Sequence, residues 1–149
     1  MEQIRETKGF TLIEIIITLA IISLLLTVAS PQISKLITSH ELKSEARIIA
    51  TRLRAIQLEA VTNKSMGGSM AFYEDSYWYK NNAFQSYTVH KLPKKISIVS
   101  CTFANRLLIF TGRGYCNAGH IKLKNSKGEA LYVIISPYGR VRISDIKPN

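Results

Sequence analysis

Lys8-Gly9-Phe10-Thr11-Leu12-Ile13-Glu14 opens the stretch that decides the fold. A short charged leader, Met1 to Lys8, meets a long apolar run at Gly9-Phe10, and one carboxylate, Glu14, stands inside that run. From Ile15 to Ser34 there is no charged residue at all. A helix of roughly 20 such residues is long enough for a bilayer core. A carboxylate near its end is costly unless it is paired, so Glu14 reads as functional. An ordinary secretory signal would end near Val28-Ala29-Ser30. Pro31 directly after that point, and Glu14 inside the apolar segment, argue against it. A plain single-span anchor accounts for the length but not for Glu14 or the Gly9-Phe10 junction.

Working outward, Phe10 to about Asn63 reads as one helix in two parts. The first is apolar all round. In the second, Leu42, Ala46, Ile49, Leu53, Ile56 and Ala60 recur by four and three, which places them on one helical face. Lys43, Arg47 and Arg54 fall elsewhere. Such a helix is about 80 Å long at 1.5 Å per residue, so its two ends need different surroundings. Pro31 removes one internal hydrogen bond and predicts a kink over Val28 to Pro31. Lys64-Ser65-Met66-Gly67-Gly68 stops the helix.

After Gly68 the period changes to short β-branched and aromatic runs. Strands are expected at Ser69–Tyr73, Phe84–His90, Ile96–Cys101, Leu107–Thr111, His120–Lys124, Ala130–Ser136 and Arg140–Ile143. Asn125-Ser126-Lys127-Gly128 and Pro137-Tyr138-Gly139 supply turns. Alternation in Ile121-Lys122-Leu123-Lys124 gives one dry face and one positive face. The expected fold is therefore α+β: a long N-terminal helix, transmembrane in its first half and amphipathic in its second, packed on an antiparallel sheet. Residues 1–9 form the leader, 10–64 the helix (10–30 its membrane part) and 65–149 a globular β head. That head has about 85 residues, a size at which one core is marginal.

Formal net charge is +10 over 149 residues, and the imbalance is local. From Lys91 onward many basic residues face only Glu129 and Asp145. A positive head attracts polyanions: nucleic acid, acidic lipid or an acidic partner. No phosphate-binding glycine loop or nucleophile elbow occurs, so no enzyme, cofactor or small-molecule substrate is indicated. Cys101, Cys116, His40, His90 and His120 lack the paired spacing of a metal site. Tyr73, Tyr77, Trp78 and Tyr79 form an aromatic cluster that either fills a core or stacks on bases. Arg140 and Arg142, in an extended segment, point to one side roughly 7 Å apart, of the order of the spacing between neighbouring phosphates. Guanidinium groups hold phosphate bidentately.

The Gly-Phe-Thr-Leu-Ile-Glu head on an apolar helix resembles the type IV pilin family. The resemblance covers the first third of the chain and implies cleavage by a prepilin peptidase after Gly9. Phe10 would become the new, usually methylated, N-terminus, and Glu14 would pair with the terminal amine of a neighbouring subunit. It further implies an inner-membrane, single-pass precursor with its head in the periplasm, later assembled with other pilins into a filament. In that oxidising compartment Cys101 and Cys116 can pair, closing a loop worth about 3 kcal/mol; two free buried thiols are the other reading. The ending Ser-Pro-Tyr-Gly-Arg-Val-Arg looks like that of FimT/GspH-type minor pilins. For the FimT branch this implies sequence-independent DNA binding in natural transformation, carried here by Arg140 and Arg142. Lys147, Arg113, Lys122 and Lys124 are supporting charges by composition. Two alternatives stand beside it: a GspH-like pseudopilin of a type II secretion system, or a pilus assembly or adhesion subunit without DNA binding.

Overall fold

A computed structural model describes residues 9–64 and 67–148, with the backbone alone at 28–31. The leader Met1–Lys8 and the Ser65-Met66 part of the helix stop lie outside the described residues. Helix α1 runs Leu12–Asn63. The chain divides into two units, Met1–Leu36 and Ile37–Asn149.

In the first unit the helix starts on a capping box. Thr11 Oγ1 accepts from the Glu14 backbone N–H at 3.3 Å, and Glu14 Oε2 accepts from the Thr11 N–H at 3.0 Å. This reciprocal pair satisfies two of the donors a helix start leaves orphaned. Apolar side chains from Leu12 to Leu26 are exposed on every side. The hydroxyls among them bond to the helix's own carbonyls: Thr18 to Ile15, Ser23 to Leu19, Thr27 to Ser23. No polar side chain between Leu12 and Thr27 is left without a partner, as a lipid or packed-helix environment demands. The helix changes direction between Thr27 and Gln32, where the Pro31 kink is expected. On either side of that bend no single helix among the described residues is long and apolar enough to cross a membrane; Leu12–Thr27 and Gln32–Asn63 together are, by length and composition.

In the second unit every residue of the expected stripe is buried: Leu42, Ala46, Ile49, Leu53, Ile56 and Ala60. They pack against two antiparallel four-stranded sheets rather than one. Strands β1 (Gly67–Phe72), β2 (Ser76–Asn82), β3 (Thr88–Lys91) and β5 (Leu107–Ile109) form the first sheet in the order β3-β2-β1-β5. Strands β4 (Ile96–Cys101), β6 (Gly119–Asn125), β7 (Ala130–Ile135) and β8 (Val141–Ser144) form the second, in the order β4-β6-β7-β8. A 3-10 turn, Ala104–Arg106, separates β4 from β5. Met70, Phe72, Tyr77 and Leu108 from the first sheet, and Ile98, Ile121, Leu123, Val133 and Ile135 from the second, close the core on the helix.

Strand β2 has no counterpart among the sequence expectations. Its alternation, Tyr77 inward, Trp78 outward, Tyr79 inward, sits inside the aromatic cluster and passes into polar Lys80-Asn81-Asn82. Phe84 and Gln85, expected to begin a strand, lie in a turn capped by the Asn82 side chain.

The disulfide anticipated for Cys101 and Cys116 is not formed; both are free, half-buried thiols. Cys101 pairs with Ile121 on the β4 side of β6, whereas the Cys116 N–H bonds to Pro137 O past the end of β7. Five residues and one strand separate these places, far more than the short span a disulfide bridges. Burial pushes both thiols above their ordinary pKa, which keeps them protonated and unreactive.

Candidate nucleic-acid interface

The second sheet buries Ile121, Leu123, Val133, Ile135 and Val141 on its helix side. Strand alternation then sends His120, Lys122, Lys124, Tyr132, Ile134, Arg142 and Ser144 to the other face. Register lines these up in rows. His120 lies opposite Ile134, and Ile134 opposite Arg142; Lys122 lies opposite Tyr132, and Tyr132 opposite Ser144. Lys122 Nζ stands 5.6 Å from the Tyr132 ring, and His120 meets that ring edge-on at 5.7 Å. Arg140 and Arg142 are exposed on either side of buried Val141, as extended backbone requires.

Two contacts from α1 hold this arginine segment, and a third holds the loop beside it. Arg54 on α1 donates to Val141 O at 3.1 Å. Gln57, one turn on, donates to Gly114 O at 3.0 Å and to Tyr138 O at 3.5 Å. Gly139 takes a φ of +74° to close the turn Ser136–Gly139, its N–H bonding to Ser136 O. A Cβ there would strike Gln57 Nε2 and reach 2.5 Å from Gly114 O. The glycine before Arg140 is thus demanded by backbone conformation and by lack of space. Nothing in the sequence singles out Gln57, which reads as one more polar residue on the helix.

Of the six basic residues expected at the interface, the sheet itself brings Arg140, Arg142, Lys122 and Lys124 onto one face. Lys147 follows from the C-terminal tail. Burial first, and the Lys147 charge second, hold His120 below the ordinary histidine pKa. Arg113 sits exposed in the β5–β6 loop, which abuts the turn before Arg140 through the Tyr115–Tyr138 ring contact at 5.8 Å and the Cys116 to Pro137 bond. At the Lys124 end, an open cavity of about 410 Å³ is lined by Lys94, Lys95, Ser97 and Lys124, extending the positive surface. The two carboxylates of this region go the other way. Glu129 and Asp145 line a cavity with Ser39, Leu42 and Lys43, on the helix side. On β6, β7 and β8 the outward positions therefore carry basic residues and no carboxylate, whereas at the β4 end Glu74 and Asp75 share a cavity with Lys91 and Lys94. A field of one sign over the β6–β8 face is what a phosphate backbone meets.

Residues 4–30 match the prokaryotic N-terminal methylation motif.

That match supports a type IV pilin-like prepilin, a structural subunit that a prepilin peptidase processes and that assembles with other pilins. With the apolar helix it suggests a membrane-anchored pilin. No curated protein and no solved structure shows significant similarity to the chain.

Proposed function

We propose that this pilin-like protein is a FimT/GspH-type minor pilin that binds DNA without sequence preference during uptake. The precursor spans the inner membrane, is cut after Gly9, and joins a filament through its Phe10 to Ala29 helix, with Glu14 meeting the Phe10 amine of a neighbour. Burying that amine and that carboxylate together offsets the cost of burying either alone. One observation carries the DNA reading: Arg140, Arg142, Lys122 and Lys124 project from one sheet face, while Glu129 and Asp145 line a cavity on the helix side. Contacts from arginine and lysine to phosphate position a duplex but do not read bases.

The test is fluorescence anisotropy of the full chain, in uncharged detergent, with labelled duplexes of unrelated sequence. The expected result is micromolar or weaker binding at low salt, equal for all duplexes. Arg140→Gln with Arg142→Gln should weaken it by about tenfold or more. Unchanged affinity in that variant overturns the assignment.

A second reading has its own support. Strand β8 is an edge of the second sheet. Charged side chains on an edge strand discourage pairing with another chain, and that alone is a reason for Arg140 and Arg142 in a secretion pseudopilin. No duplex binding at low salt favours this reading.

A further inference from the structure

Trp78 is the chain's one tryptophan. It stands on the outer face of the first sheet, 40% exposed, between Tyr73 at 5.1 Å and Tyr87 at 6.4 Å. Both neighbouring rings are exposed to the same degree. They tilt against Trp78 by 49° and 53°, so the three do not stack on one another and ring surface is left to solvent. The Tyr87 hydroxyl is tied to Ser69 Oγ at 2.9 Å, which orients its ring. Lys80 Nζ lies 5.1 Å from that ring, and Lys91 shares the face, two positions along β3 from Val89. Tyr77 and Tyr79, by contrast, point to the helix side, where Tyr77 is fully buried and Tyr79 meets Arg52.

A core function does not account for these rings, because the core lies on the other side of the sheet. Exposed aromatic surface rimmed by charge marks a binding face. The rings offer flat apolar area, and Lys80 supplies the cation beside them; Lys91 shares a cavity with Glu74 and Asp75. Bases present free π-faces only when a strand is unpaired, and aromatic side chains backed by cations are what such strands bind. We infer that this face is a stacking platform for single-stranded nucleic acid, with bases on Trp78 and its two tyrosines and the backbone drawn by Lys80. The platform is on a different sheet from Arg140 and Arg142 and does not rest on the duplex reading.

The lone tryptophan makes the test direct. Full chain in uncharged detergent is titrated with a twelve-residue oligothymidylate while Trp78 emission is read. Saturable quenching is expected, and it should persist in Arg140→Gln/Arg142→Gln. In parallel, anisotropy of a labelled oligothymidylate should show about tenfold weaker binding to Trp78→Leu/Tyr87→Leu, with duplex affinity unchanged. Three outcomes with the unaltered chain overturn the proposal. The first is no change in emission. The second is an equal change with neutral dextran, which would make the face a glycan site. The third is an emission shift that follows protein concentration without oligonucleotide, which would mean a second copy covers it. Loss of quenching in the arginine variant likewise overturns the platform as an independent site, whatever becomes of duplex binding.

Discussion

Thr11 and Glu14 give the N-terminal carboxylate two tasks. Within one chain Glu14 closes the capping box with Thr11. In a filament, the proposed function gives it the Phe10 amine of a neighbour. Glutamine serves a capping box as well as glutamate does, but carries no charge. Glu14→Gln should therefore keep the helix start and still lose assembly, whereas Glu14→Ala loses both. Filament counts by electron microscopy, with mass spectrometry to verify leader removal, separate the roles. Normal filaments from the Gln variant would leave only the cap. Gly139 is another residue whose identity is set by geometry. Gly139→Ala must strain a positive φ and displace Gln57, at a cost of about 1–3 kcal/mol. Urea unfolding followed by Trp78 emission measures it; an unchanged midpoint would show that the turn relaxes freely.

At the scale of elements, β6 and β7 set the basic face, and His120 reports on it. Burial first, and Lys147 second, lower its pKa from 6.5. The fold thus favours neutral imidazole, and the unfolded chain binds the proton more readily. Stability from this group is full above 6.5 and is lost as pH falls through that value toward the lowered native one. Lys147→Met should raise the His120 pKa, and duplex DNA bound to the face should raise it further. An NMR titration of the imidazole measures both; indifference to DNA would place the duplex elsewhere. Much of this architecture was legible from periodicity. The helix stripe from Leu42 to Ala60 and the alternation in Ile121-Lys122-Leu123-Lys124 each bury the residues their period predicts, because one face had to be dry. The β2 strand was not legible, since three aromatics followed by Lys80-Asn81-Asn82 fit a loop as well as a strand. Neither was the division into two sheets, which depends on long-range pairing such as β1 with β5. The hold of Arg54 and Gln57 on the arginine segment spans 87 and 81 residues of chain, beyond any local pattern.

For the whole molecule, net charge of +10 raises the question whether DNA binding, where found, is a diffuse attraction or a set of counted contacts. Salt dependence decides it. Each phosphate neutralised on duplex DNA contributes about 0.9 to the slope of log affinity against log salt. A diffuse field from 20 basic residues would change little on losing two of them. Discrete contacts from Arg140 and Arg142 would lower the slope by about 2, and Lys122→Gln, on the same face, by about 1 more. Arg47→Gln supplies the control, because Arg47 is exposed on α1, away from the strand face that holds the arginines. The prediction is thus a pattern: slopes fall for substitutions on the outer face of the second sheet and hold for one on the helix. Equal small losses at all four positions would return the charge to a general role in solubility and leave the arginines as guards of the β8 edge.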